Sequence, residues 1–399
     1  MAYKTCRPAQ DIRTILSHDF VFGFLSLFAF ILAYHALIPT LPIFFAHSGS
    51  NDFQIGILVG IFGFSSLVFR LIVGGALLKY SEKAIMTFGA ALFTITFVAS
   101  LLVRPFWPFF AVRFLQGIAF ACVDTAALAF IVNITPAAHR TQAISYFVLA
   151  PPFSQAIAPS MGMEVTNTYG FEVLFAMCMA LSVCSLVFSS KLRKHSVISS
   201  DKSVPTACNL FLDWRVVIPS MTTFLQNFIW GAIIAFLPLY ALQCGVKNPG
   251  LFFTGNAIML VAGRVLGGRF MDAADKEKVI ATVIVVSIIA MIVISFSTSL
   301  PMFFLVGLIW GTGGAFIFPA SMAYSLEYAG SFGGTAVGTF RAMSDLGLAL
   351  GPMITGFIVP LAGYRMAFLC LAGVGLMNLC YFQFYVRKKT RIRRMRSPR

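Results

Sequence analysis

The sequence predicts an all-α polytopic membrane protein: twelve transmembrane helices in two six-helix repeats. Three observations carry this. Of the 399 residues 59% are hydrophobic and only 11% are charged, at a mean hydropathy of +0.87, whereas soluble chains carry about a quarter charged residues. The apolar residues fall into runs long enough for a bilayer, which takes about 20 residues per helix. Landmarks of the first half also recur in the second at a nearly constant offset.

The expected spans are 19–45, 53–78, 84–103, 106–133, 141–166, 169–190, 214–243, 249–272, 279–300, 301–327, 334–361 and 363–386. Each is bounded by a few polar, Gly or Pro residues, as at His47 to Asp52 and Arg104-Pro105. The first follows Lys4, Arg7 and Arg13, but it is longer than a signal core and lacks a small-residue cleavage site, so it is expected to stay. The one sizeable hydrophilic break, 191–213, reads as a cytoplasmic linker between a bundle over 1–190 and a bundle over 214–386, followed by a basic tail, 387–399.

Lys and Arg collect in cytoplasmic loops. With the N-terminus inside, only Arg104, Lys247 and Arg365 face outward, so both termini are expected in the cytoplasm and the chain in the inner membrane. That bias accounts for the net charge of +15 without nucleic acid, and the tail suits anionic headgroups. The eight Cys form no CxxC pair, so neither a metal nor a disulfide is expected, and no cofactor.

Leu41-Pro42 with Gly49 returns 196 residues later as Leu237-Pro238 with Gly245. Arg70 and Gly74 return at Arg264 and Gly268, and Phe109-Phe110 with Gly117 at Phe303-Phe304 with Gly311, all 194 on. Gly170, Phe171 and Phe175 return as Gly363, Tyr364 and Phe368, 193 on. Two similar bundles can rock about a central site and expose it to each side in turn, which is a transporter's architecture.

Several motifs add a family resemblance over the whole chain. Ile38 to Phe45 with Gln54-Ile-Gly56, Arg113-Phe-Leu-Gln116-Gly117 in span four, Gly347-Leu-Ala-Leu-Gly351-Pro352-Met-Ile-Thr355-Gly356 in span eleven and the weaker Ala158-Pro159-Ser-Met-Gly162 in span five are its marks. The chain resembles the major facilitator superfamily, and within it the twelve-span drug and metabolite proton antiporters. It departs from the pattern after span two, where Lys79 stands at the usual Asp of Gly75-Ala-Leu-Leu-Lys79, while the second-half copy keeps Asp272.

Ionisable groups within spans cost roughly 2.5–3.5 kcal/mol on insertion scales and are functional candidates by default. The resemblance places span four on the cavity, where Arg113 with Gln116 suits an anionic or carboxylate-bearing substrate or senses a nearby acid; a structural arginine bonding backbone carbonyls is the alternative. Asp124 shares the Arg113 helix face and is either a proton-carrying carboxylate or a gate acid pairing with Lys79 or Lys83. His35, beside Tyr34 in span one, is a second proton candidate or a satisfied core histidine.

Asp345 and Arg341 are four apart on one helix surface, which allows an internal pair. The resemblance packs span two on span eleven, so an Arg70–Asp345 contact is expected as a gate, with Arg264 and Asp272 as its counterpart. Gln226, Asn227, Trp230 and Trp310 offer polar and aromatic cavity surface. Gly351-Pro352, Gly356, Pro159 and Gly162 fit a rocking interface, where Pro bends a helix and Gly lets another approach.

The expected function is a secondary active transporter of a small organic molecule, as a monomer, most simply an exporter exchanging it for protons. A proton-coupled importer of an anionic or zwitterionic metabolite runs on the same scaffold. A polytopic membrane enzyme is the remote alternative, since the sequence holds no metal-spaced cluster, phosphate loop or Ser/His/Asp grouping.

Overall fold

The computed structural model describes residues 17–103, 106–136, 139–193, 214–273, 275–329 and 334–387. In the first half the helices are α1 (His18–His47), α2 (Asp52–Ala76), α3 (Glu82–Leu102), α4 (Phe106–Ile134), α5 in two pieces (Arg140–Phe147 and Ala150–Tyr169) and α6 (Phe171–Ser190). In the second they are α7 (Trp214–Gln243), α8 (Gly250–Ala273), α9 (Lys276–Phe296), α10 (Leu300–Ala329) and a continuous run Gly334–Cys380. Gly363, with φ 76° and ψ 166°, is non-helical and divides that run into α11 (334–362) and α12 (364–380), which continues as a π-helical turn over Tyr381–Val386.

Among the described residues, ten helical segments are long and apolar enough to cross a membrane, one of them the run that Gly363 divides. The fifth expected span is not among them. It is broken at Val148-Leu149, just before Pro151-Pro152, because neither proline has an N–H to continue the helical ladder. Elsewhere the expected boundaries lie within a few residues of the helix ends.

Helix starts are fixed locally. Asn51 and Gln54 form a reciprocal capping box at α2, Ser81 caps α3 and Asp275 caps α9, contacts worth about 1 kcal/mol each. The repeat seen in the sequence is also a repeat of backbone and packing. Gly49, Gly170, Gly245 and Gly363 are the glycines with positive φ among the described residues, and they are the two pairs that the offsets match. Phe109 and Phe175 pack on Phe44, and their counterparts Phe303 and Phe368 pack on Tyr240. Each half therefore carries the same aromatic knot where its first, fourth and sixth helices meet.

Within the first half α1 packs on α4, α5 and α6, α2 on α4, and α3 on α4 and α6. In the second half α7 packs on α10 and α11, α8 on α10, and α9 on α10 and α12. Short ties stiffen each set: Glu82 accepts from Asn133 between α3 and α4, Lys276 pairs with Glu327 between α9 and α10, and Arg387 donates to Glu277 at 2.8 Å. The halves meet through α2 with α11, α5 with α8, and α1 with α7.

Glycines bring those backbones together. A Cβ on Gly56 or Gly60 would lie 2.4 or 2.5 Å from the Pro352 or Ala349 carbonyl oxygen of α11, and one on Gly250 would lie 2.5 Å from that of Pro159. These cross-half contacts cluster towards the end of the bundle that carries Gly49 and Gly245, here called the glycine-turn end. The opposite end, where α6 leaves and α7 enters, is the linker end.

Candidate functional site

At mid-depth between the halves lies a cavity of about 240 Å³. Tyr34 and His35 of α1, Gln155 of α5, Gln226, Asn227 and Trp230 of α7, Asn256 of α8 and Trp310 of α10 line it, and it reaches towards the linker end past Thr223, Leu260 and Phe318. Its position follows from the fold: the helices that cross between the halves contribute one face each. Trp230 and Trp310 are stacked, ring centroids 5.8 Å apart at 15°. The His35 Nδ1 meets Ser154 Oγ at 3.0 Å, tying α1 to α5. Gln226 donates to Ser287 Oγ at 2.6 Å, and Asn227 donates to the Thr223 carbonyl at 3.0 Å.

Arg113 does not line this cavity. It borders a smaller space of about 30 Å³ on the glycine-turn side, walled off by Tyr34, Ile38, Ile234 and Leu348, which line both. Its side chain is committed: Nε donates to the Leu58 carbonyl at 3.0 Å, a terminal nitrogen donates to Gln116 Oε1 at 2.8 Å, and the guanidinium lies 4.6 Å over the Phe62 ring. Arg113, 5% exposed, thus bonds a backbone carbonyl of α2, and Gln116 is its partner.

Towards the linker end one arginine joins three helices. Arg70 of α2 donates through a terminal nitrogen to Asp124 Oδ2 of α4 at 2.7 Å and through Nε to Asp345 Oδ2 of α11 at 3.1 Å. Asp124 therefore meets Arg70 rather than Lys79 or Lys83, which corrects the partner that the sequence suggested. The reason is register: Leu58, Phe62 and Arg70 lie on the face of α2 that α4 covers, so Arg113 and Asp124, sharing a face of α4, both find partners there. Arg341 lies 4.8 Å over the Phe318 ring of α10 while its charge also acts on Asp345. Arg264 is exposed, and the Asp272 side chain lies outside the described residues.

The span-eleven motif packs backbone on backbone. A Cβ on Gly351 would sit 2.0 Å from the Phe228 carbonyl oxygen of α7, and one on Gly356 2.7 Å from that of Asp52 on α2. Pro352 presents its own carbonyl to Gly56, so α11 is clasped between α7 and α2. Gly162 stands against Ala36 of α1, and Pro159 against Gly250 of α8.

One contact escaped the sequence reading. The Tyr364 hydroxyl at the start of α12 donates to Asp52 Oδ1 at the start of α2, at 2.7 Å. The signal was there in the repeat, because Phe171 of the first half becomes Tyr364 in the second and gains a hydroxyl. Asp52 and Arg70 are eighteen residues apart on α2, so the two cross-half ties are separated by about 27 Å along the helix. At the other interface Ser160 meets Thr254 at 2.7 Å and Asn167 donates to the Lys247 carbonyl at 2.9 Å, again at the glycine-turn end.

Two repeated sets of apolar helices around a central cavity, tied to each other at both ends, define a polytopic solute carrier. The comparisons with known proteins agree: the Major Facilitator Superfamily model matches residues 23–272 and 220–398, and the chain belongs to that family, as a membrane transporter and not an enzyme. It is 22% identical over 338 residues to the staphylopine export protein of Staphylococcus aureus, covering 80% of this chain and 84% of that one. It is 22% identical over 344 residues to the quinolone resistance protein NorA of Staphylococcus aureus, covering 84% and 88%. Among solved structures it matches the nucleoside transporter NupG with a TM-score of 0.76 at 16% identity, over 92% of this chain and 98% of that one. It matches the human organic anion transporter MFSD10 with a TM-score of 0.68 at 17% identity, over 95% and 100%. These structures share its fold.

Proposed function

We propose that the chain is a secondary active exporter that exchanges a small organic molecule for protons by alternating access. The observation that carries this is the cavity held between two cross-half ties, Asp52–Tyr364 towards one membrane face and Arg70–Asp345 towards the other. Opening one end requires the halves, 1–190 and 214–386, to part at one tie while the other holds. The names of the two curated relatives, an export protein and a resistance protein, support the outward direction. The basic loops and tail support a cytoplasmic linker end, with both termini inside the inner membrane.

Proton coupling falls to Asp124 and His35. Arg70 is shared by two carboxylates, and Arg341 also acts on Asp345. A proton on Asp124 loosens its hold on Arg70, while His35 sits on the cavity wall. Arg341, Arg264, Asp272 and Lys83 are the remaining charges of the linker-end gate, and Gly351, Pro352, Gly356, Pro159 and Gly162 are the surfaces on which the halves rock. Arg113 lends little support to an anionic substrate, because it borders the smaller space rather than this cavity and two of its five N–H donors are held by Leu58 and Gln116.

The test is reconstitution in proteoliposomes with an imposed pH gradient. The double variant Asp124→Asn/His35→Gln is expected to lose gradient-driven flux while keeping substrate exchange at equal pH. Undiminished proton coupling in that variant overturns the assignment.

A further inference from the structure

We infer that the substrate is an uncharged, planar nitrogen heterocycle with an edge of N–H and C=O groups; the inference rests on the transport reading of the mid-depth cavity. The first observation is the absence of charge. Among the described residues, none that line the cavity is Asp, Glu, Lys or Arg. A substrate with a net charge would be desolvated there without a counter-ion, at a cost of several kcal/mol per charge, which a neutral one avoids.

The second is a set of carboxamide ends without partners. Four carboxamides from three helices line the cavity, Gln155, Gln226, Asn227 and Asn256. Gln226 Oε1 and Asn256 Oδ1 are buried and have no hydrogen-bond partner, on side chains only 6% and 2% exposed. The Gln226 amide shares one of its two ends with the Ser287 hydroxyl at 2.6 Å and leaves the other end without a partner. Buried polar groups without partners are costly, and a site built to bond a substrate N–H or C=O rejects analogues that lack it.

The third is shape. The stacked Trp230 and Trp310 offer a flat aromatic surface beside the carboxamides, and such surfaces prefer a planar ring offset on them. At about 240 Å³ the space lies below the usual range of roughly 300–1,000 Å³ for drug-sized ligands. A single or fused small ring with an edge of N–H and C=O groups meets all three conditions.

The test uses the full chain in nanodiscs with the two exposed tryptophans removed, Trp107→Phe/Trp214→Phe, so that emission reports on Trp230 and Trp310. Uracil and nicotinamide are expected to quench it saturably, whereas benzoate, tetraphenylphosphonium and the non-planar cyclohexanecarboxamide bind at least about tenfold more weakly. Asn256→Ala and the half-buried, gentler Gln155→Ala are each expected to weaken uracil binding, the former about tenfold. No quenching by either heterocycle at its solubility limit overturns the inference, as does equal or tighter binding of a charged or non-planar probe, or binding indifferent to both variants. The two readings fail separately: uracil binding without flux in proteoliposomes removes the transport role and leaves the binding class. Flux of benzoate or tetraphenylphosphonium without heterocycle binding removes the class and leaves transport.

Discussion

Tyr364→Phe removes one hydroxyl and with it the tie between α12 and α2 at the glycine-turn end. The bond is short, 2.7 Å, and its acceptor is a carboxylate; hydrogen bonds to charged groups contribute about 1.5–3 kcal/mol. Both residues are half-buried, so water replaces part of the loss and the lower end applies. About 1.4 kcal/mol is tenfold in an equilibrium constant. Because the bond joins the two halves, it stabilises only states closed at this end, and its loss is expected to raise the open-to-closed ratio there about tenfold. Spin labels at exposed Ser48 and Thr298, one in each half at this end, read that ratio as the weight of the longer-distance population in a cysteine-depleted chain. Tyr240→Phe is the internal control: its hydroxyl bonds the Ser295 carbonyl of the same half at 3.1 Å, so the distribution should stay as it was. An unchanged distribution in Tyr364→Phe, or an equal shift in Tyr240→Phe, refutes the assignment of Asp52–Tyr364 as a latch.

Three further outcomes follow from the geometry. Arg70→Met leaves Asp124 and Asp345 without their shared cation; breaking a buried pair costs about 3–5 kcal/mol, reduced here to about 2–3 by side chains 18–31% exposed, and thermal unfolding in detergent should fall accordingly, with Asp345→Asn milder. Arg113→Lys loses the fork to Leu58 and Gln116 and the stacking on Phe62, which should lower stability by about 2 kcal/mol while uracil affinity stays within a factor of about three; a large loss of affinity would place Arg113 at the substrate after all. Gly351→Ala drives a methyl to 2.0 Å from the Phe228 carbonyl, whereas a methyl at Gly74 meets nothing within 4 Å, so the first should cost about 1–3 kcal/mol or more and the second should be near neutral; equal melting temperatures would refute the close α7–α11 crossing.

Much of the fold was legible because a bilayer imposes a long apolar period and a duplicated unit repeats its irregularities. Gly49 with Gly245 and Gly170 with Gly363 were matched by offset before any backbone angle was known, and the structure gives all four positive φ. The break at Val148-Leu149 was less legible, since paired prolines read as a bend until helix continuity is known. Site residues are legible as types, and one pair, Arg70 with Asp345, as partners as well; the other partners are not. Arg113 and Asp124 were placed on one face of α4 by the helical period, yet which residues of α2 they meet depends on the register between two helices, which no single-helix period encodes. That register gives Asp124 to Arg70 rather than to Lys79 or Lys83. Tyr364 is the opposite case: within the repeat its likeness to Phe171 marks the fold, and its added hydroxyl is the feature that carries the contact.

The central claim is an exchange in which the substrate and protons move in opposite directions. The most direct measurement is the lumenal pH of proteoliposomes that enclose a pH-sensitive dye, after the tightest-binding probe from the quenching series is added outside with the membrane potential clamped. Antiport predicts that substrate entry drives protons out, so the lumen turns alkaline in proportion to uptake, and the Asp124→Asn/His35→Gln variant abolishes the change. A lumen that turns acid as substrate enters, or uptake with no change of pH, contradicts the account.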